Sequence, residues 1–270
     1  MASQNLQSAL APLTRRPIQT SLAAILTTTV LTWSYLDYRA YIALGPGGVP
    51  HNWLGWLAVT LFIRPFSLSK SSATYTGDYP SEGGHEEMKN LPERKGERAE
   101  IGGIVPHRQL SQHAPEHMRE SIQNLFANIV TANPATLVSE RSLYERHNPA
   151  LFVSPSLLSS PAAPSPAAPS PAKTARGEIG HHHGDMSVHL YLSPADARLA
   201  IEKGWAERHR LSVPRTSWFA NRYHVADSYV LVYGPRDEGE MEVLATILRC
   251  SARFMTGREV ERAEWRQIIA

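Results

Sequence analysis

The 270-residue chain has a single cysteine, Cys250. That excludes an intramolecular disulfide and any CxxC-type zinc or redox motif, and a lone thiol is expected as a small buried hydrophobe. No concentrated basic run is present. The basic residues are interleaved with acids, as in "LPERKGERAE", and the formal charge is only +2, so a nucleic-acid partner is not expected. No Asn-x-Ser/Thr sequon occurs, which leaves glycosylation silent about topology. No regular strand–helix–strand repeat is visible either, which argues against a doubly wound parallel sheet. What remains is a globular balance, 42% hydrophobic and 19% charged.

An uncharged run, "PIQTSLAAILTTTVLTWSYL", spans Pro17 to Leu36. Its length fits the roughly 20 residues that span a hydrocarbon core. Its threonines can return hydroxyls to their own backbone carbonyls, and Trp33 and Tyr35 stand where rings favour the headgroup layer. The expectation is a single-pass transmembrane helix over about 17–36. A cleaved signal peptide is the rival, but no small-x-small cleavage site follows the run. After the Gly/Pro turn "GPGGVP" comes "NWLGWLAVTLFI", 52–63, too short to cross and spaced like an interfacial helix or a core helix. Residues 1–66 thus read as a membrane-anchor region, and the polar stretch at 67–88 as a flexible linker.

The soluble remainder, 89–270, shows readable elements. Pro115 to Val130 carries Met118, Ile122, Leu125, Phe126 and Ile129 at helical spacing, and Ala150 to Val153 is a short strand. Ser193 caps a helix with Pro194 at its first position and Gly204 past its end. Ser228 to Tyr233 is a strand. A last helix starts at Asp237 with Glu240 completing a capping box, buries Met241, Leu244, Ile247, Leu248, Ser251 and Met255, and stops at Gly257. The fold class expected is α+β, a mainly antiparallel sheet with a few packed helices. The tract "SSPAAPSPAAPSPAK" blocks both helix and sheet ladders and is expected to be disordered over about 155–176.

The densest chemistry lies in "HHHGDMSVHLYL", His181 to Leu192. A Gly184-Asp185 hairpin turn would pair His181 with Val188 and put His182 beside Ser187 and His189. A continuous strand would instead align His183, Asp185, Ser187 and His189. Both readings keep Ser187 and His189 opposite Met186, Val188 and Leu190; they disagree about which earlier histidine joins them.

The stretches "GEIGHHHGDMSVHLYLSPADARLAIEKGWAERHRLS" and "YVLVYGPRDEGEMEVLATIL" resemble the fungal luciferase family, non-luminous relatives included. The matched pattern is Glu178, His181, His183, Ser187, His189, Gly204-Trp205, Glu207, Arg208, His209, Tyr233, Pro235, Arg236 and Glu240. "DYRAYIALGPGGVPHNWLGW" and "SERSLYERHNPALFV" are also similar to family sequence. The resemblance covers most of the chain, is most specific in the last hundred residues and is loose between Ser67 and Ala135. It places the Pro/Ala/Ser tract inside the family domain, as an insertion between two strands.

The resemblance implies a membrane-tethered oxygenase that adds O₂ to an enolic or phenolic pyrone-type polyketide, with O₂ as co-substrate and no organic cofactor. It also implies residence at the endoplasmic reticulum, without light emission. Such chemistry needs a base to deprotonate the substrate and donors for the developing anion. The candidates for that chemistry are His189, His183, His209, Ser187 and Arg236. Substrate contact is expected from His181, Glu178, Trp205, Arg208 and Tyr233. Two alternatives stand beside this reading: a metal-dependent enzyme with Fe or Zn on His181, His183 and His189, and a non-catalytic membrane-bound protein that binds a lipophilic metabolite.

Overall fold

The computed structural model describes residues 16–159, 170–218 and 222–268. They fall into two compact units, Met1–Gly45 and Pro46–Ala270.

The first unit contributes one long helix, α1 (Pro17–Ala43), with Pro17 at its start. Thr20 returns its hydroxyl to the Arg16 carbonyl at 3.1 Å. The expected transmembrane helix is corrected here: among the described residues no helix is long and apolar enough to cross a membrane. Length is sufficient, but Gln19, Ser21, Ser34 and the threonines dilute the apolar side chains that would have to meet lipid.

The second unit begins at Pro46, not at residue 89. Helix α2 (Trp53–Ala58) opens on Asn52, whose side chain accepts from the Leu54 and Gly55 amides, and runs on as a π turn (Val59–Ile63) and a 3₁₀ turn (Arg64–Phe66). Val59 is buried and Ile63 packs on the main core, whereas Trp53, Leu54, Leu61 and Phe62 stay exposed. The stretch expected as a linker is tied down. Leu68 donates its amide to the Arg210 carbonyl, Arg208 donates its amide to that of Ala73, and the Tyr79 hydroxyl reaches the Asp227 carbonyl. A short helix, α3 (Glu86–Lys89), follows with Met88 fully buried.

A two-stranded ribbon, β1 (Ile101–Gly103) and β2 (His107–Gln109), precedes helix α4 (Met118–Ala132). The main sheet has six strands: β3 (Leu137–Arg141), β4 (Pro149–Val153), β5 (Glu178–His182), β6 (Val188–Tyr191), β7 (Ala206–Arg208) and β8 (Tyr229–Val232). Their order is β3-β4-β5-β6-β8-β7, antiparallel throughout, as expected for an α+β domain. Helix α4 packs on β3 and β4, and the last helix, α8 (Glu238–Thr256), on β4, β5 and β6.

Two short helices flank the Pro/Ala/Ser tract, α5 (Pro155–Leu158) and α6 (Ser170–Thr174), and Ala172 and Ala175 are fully buried. The disordered insertion expected at 155–176 is therefore corrected at both edges, while residues 160–169 lie outside the described residues. Helix α7 (Pro194–Glu202) begins at Ser193, which accepts the Asp196 amide, and Gly204 follows with φ +83. Helix α8 begins at Asp237, whose carboxylate accepts the Glu240 amide, and ends at left-handed Gly257. Every residue of its expected apolar stripe is buried, as is Cys250, whose thiol burial pushes up to about 12.

Candidate functional site: a buried histidine cluster

The β5–β6 hairpin settles the histidine question through its register. Gly180 pairs with Leu190, His181 with His189 and His182 with Val188. The turn therefore holds three residues, Gly184 to Met186, and Met186 takes a left-handed φ of +67. A two-residue turn would pair His181 with Val188, and that shift of one position would exchange the faces of β5. His181 and His183 thus join Ser187 and His189. His182 points to the other face, where its ring meets Phe126 of α4 edge-on at 5.2 Å.

His209 arrives from the end of β7, and His107 from β2. Their rings stand 4.8 Å apart, and each also packs on His189, at 5.4 Å for His107 and 4.8 Å for His209. The His183 ring is 4.4 Å from that of His189 and 5.0 Å from that of His181. All five are buried, together with Tyr229.

Hydrogen bonds assign most of the tautomers. Glu178, fully buried, accepts the Ser142 hydroxyl and the Leu143 amide at 2.7 Å each, and its Oε1 lies 2.7 Å from His181 Nδ1. A carboxylate only accepts, so His181 Nδ1 carries the hydrogen and Nε2 keeps a lone pair. The Ser187 hydroxyl donates its one hydrogen to Asp185 Oδ1 at 2.6 Å, so the 2.8 Å contact to His183 Nδ1 is an N–H donating to Ser187 Oγ. His183 Nε2 is likewise left unprotonated. His209 is the reverse: its Nδ1 accepts the Leu211 amide at 3.0 Å, which leaves the hydrogen on Nε2. His107 Nδ1 and His189 Nε2 share one hydrogen at 3.2 Å. Among the described residues, His107 Nε2, His181 Nε2, His183 Nε2 and the Tyr229 hydroxyl are buried with no hydrogen-bond partner.

Electrostatics keep four of these histidines neutral. Burial first, and neighbouring cationic or imidazole groups second, hold His107, His183 and His189 well below the usual histidine range and pull His209 down to about 3. Burial has the opposite effect on Glu207, which it pushes up to about 7. Glu207 Oε1 lies 3.8 Å from His107 Nε2.

Four of the five histidines form one wall of a cavity of about 290 Å³, and His183 is not among its lining residues. His107, His181, His189, His209 and Tyr229 line its polar side; Val49, Ile63, Ile104, Val105, Leu211 and Val225 supply apolar wall. The segment after Pro46 closes against it by a close backbone approach. A Cβ at Gly48 would stand 2.0 Å from the Tyr144 carbonyl oxygen, so only glycine fits there.

Several residues expected at the site lie elsewhere. Arg236 does not line the cavity: its Nε donates to Glu240 Oε1 at 2.8 Å, and its other nitrogens reach the Lys95 carbonyl and Gln112. Arg208 is buried over the Tyr79 ring, with Nη1 2.8 Å from both Asp78 oxygens. Trp205 donates Nε1–H to the Pro92 carbonyl at 2.7 Å and packs on Arg94. Tyr233 donates to Glu207 at 3.3 Å. Glu178 and Ser187 hold histidines and are not among the cavity-lining residues. His107, Tyr229 and Glu207 were not expected as site residues. Glu207 did belong to the matched pattern, whereas the three-residue strand carrying His107 has too short a period to signal anything.

The luciferase-domain family model matches residues 176–251, from just before β5 into α8. The chain is similar to fungal luciferases over most of its length. It is 27% identical to the luciferase of Neonothopanus nambi over 241 residues, covering 84% of this chain and 85% of that protein. It is also 27% identical to the luciferase of Armillaria mellea over 254 residues, with 89% of each chain covered. No solved structure matches it.

Proposed function

We propose that this protein is an O₂-dependent oxygenase that acts on a small, planar enolic or phenolic metabolite of the polyketide or pyrone type. One observation carries the reading. A cavity of a size suited to a small aromatic molecule has apolar walls, and one side of it is made of buried histidines. An enol lying against them loses its hydroxyl proton to an imidazole nitrogen. The depressed basicity of the cluster makes imidazolium costly there, so the proton moves on, and Glu207 beside His107 is the carboxylate poised to take it. The enolate carbon then forms a C–O bond with O₂; the substrate is oxidised and O₂ is reduced to the peroxide level. His209 Nε2–H and the Tyr229 hydroxyl are the donors for the developing negative charge. Light emission is not part of this proposal, because nothing in the cavity selects a light-emitting substrate.

A lipophilic substrate suits a protein held at a membrane. Exposed Trp53, Leu54, Leu61 and Phe62 stand on the helix that supplies Ile63 to the cavity wall, and they offer an apolar contact for the endoplasmic reticulum surface. Fractionation of cells expressing Trp53→Ser with Phe62→Ser, against the unmodified chain, tests this. Equal membrane recovery of both would sink it.

The reaction is tested with an oxygen electrode and a panel of hydroxylated pyrones and phenols. Stoichiometric O₂ uptake with product formation supports the oxygenase. Saturable binding with no uptake would favour a metabolite-binding protein instead.

A further inference from the structure

The hydrogen bonding that orients His181 and His183 has a cost unless something meets their other nitrogens. Both rings are locked with Nδ1–H directed outward, to Glu178 and to Ser187, and Ser187 in turn is held by Asp185. Both Nε2 lone pairs are buried, and neither has a partner among the described residues. An unsatisfied buried acceptor costs roughly 1–3 kcal/mol, and two of them beside one another are an expense that burial alone does not explain. An imidazole whose outer nitrogen donates to a carboxylate or a carboxylate-held group, and whose inner nitrogen is a bare lone pair, is the arrangement that metal ions require. His189 completes the set: one ring nitrogen from each of His181, His183 and His189 lies within 4.8 Å of the others.

We propose that His181, His183 and His189 hold a divalent transition-metal ion whose open coordination position faces the 290 Å³ cavity. Metal–nitrogen bonds of about 2.0–2.1 Å put donors at most about 4 Å apart, so ring shifts below about 1 Å close the site. Three imidazoles suit iron or zinc, among the ions that favour nitrogen ligands. Glu145 Oε1, 4.0 Å from His183 Nε2, is the carboxylate nearest that ligand nitrogen, and Arg108 holds its other oxygen at 2.7 Å. The second triad that is close enough, His107, His189 and His209, is the poorer choice. His209 Nδ1 already accepts the Leu211 amide, so its inner nitrogen carries a hydrogen and cannot ligate. His209 is instead left as a donor beside the ion.

The inference stands on geometry and does not depend on the oxygenation reading: a protein that takes up metal yet consumes no O₂ would keep the site and lose the reaction. The test is titration of the full-length, chelator-stripped protein with Co²⁺, followed by visible absorbance and by the melting temperature. One equivalent should bind, with the d–d bands of a nitrogen-rich site and a rise in melting temperature. Glu178→Gln should weaken binding about 10- to 100-fold. His181→Ala and His183→Ala should each abolish the stoichiometric bands, and His182→Ala, on the opposite sheet face, should retain them. If the wild-type protein takes up no Co²⁺, the proposal is overturned whatever the variants do. It is equally overturned if binding survives loss of His181 and His183 but disappears in His209→Ala.

Discussion

Glu178 Oε1 lies 2.7 Å from His181 Nδ1, and both side chains are almost wholly removed from solvent. The same carboxylate accepts Ser142 Oγ and the Leu143 amide, and so ties the loop that carries Tyr144 and Glu145 to the histidine strand. Removing it strands three donors at once, two of them on buried residues. Glu178→Ala is expected to destabilise the protein by about 3 kcal/mol or more, with Glu178→Gln intermediate. Chemical denaturation of the two variants checks the order; equal stability of all three proteins would contradict the assigned role.

His189 sits at the centre of the cluster, in ring contact with four other histidines. His189→Ala should lower turnover on the order of 10²- to 10⁴-fold. It should also cost roughly 1–3 kcal/mol, because His107 Nδ1 loses its partner. Steady-state rates corrected for the folded fraction separate the two effects. A variant that melts lower yet keeps its rate per folded molecule would make His189 a structural residue only.

The hairpin register makes its own prediction. Turnover should be lost in His181→Ala and His183→Ala and kept in His182→Ala, whose ring packs on Phe126 behind the sheet. Loss of activity only in the His182 variant would point to the two-residue turn.

Glu207 predicts a pH dependence. Burial raises it, Tyr233, Arg98, Lys70 and Arg210 oppose that, and His107 faces it at 3.8 Å. The folded protein therefore keeps this proton between the ordinary value of 4.5 and about 7, where the unfolded chain has released it. The associated stability is complete below that window and is lost as pH rises through it, by on the order of 3 kcal/mol at about 1.4 kcal/mol per pH unit. Glu207→Gln should remove this component of the stability profile. It should also remove a rise in turnover centred near pH 7. Superimposable pH profiles for variant and parent would reject Glu207 as the proton acceptor.

Arg208 is a clamp for the segment before α3. Its side chain is 1% exposed and is held by Asp78 and the Ser212 carbonyl. Arg208→Ala leaves Asp78 unpaired and should destabilise by about 3–5 kcal/mol, with the rate per folded molecule preserved at permissive temperature. A stable variant with a raised KM would restore Arg208 as a substrate contact.

Much of this molecule was legible in its linear pattern. Asp237 and Glu240 at the head of α8, its apolar stripe and Gly257 at its end are local signals, and local hydrogen bonding and 3.6-residue periodicity suffice to read them. The same holds for Ser193, Pro194 and Gly204 around α7, and for the alternation that sets His189 and Ser187 against Val188 and Leu190. The Gly/Ser-rich stretch after residue 66 misled because composition does not reveal a distant partner: Arg210, Ala73, Tyr79 and Asp227 meet only once the sheet exists. Arg236 misled in the other direction, since its carboxylate lies one helical turn away.

The histidines mark the division most clearly. That a cluster of imidazoles would gather around β6 followed from the sequence, because His181, His183 and His189 share a hairpin. Which two of the three consecutive histidines face His189 depended on one left-handed residue, Met186, and the odd-numbered turn it permits. A strand alternates faces with period two, so a single extra turn residue exchanges the faces of the whole strand. His107 was beyond any local reading: it comes from a separate three-residue strand 82 positions before His189, and only packing of the two sheets against each other brings those rings together.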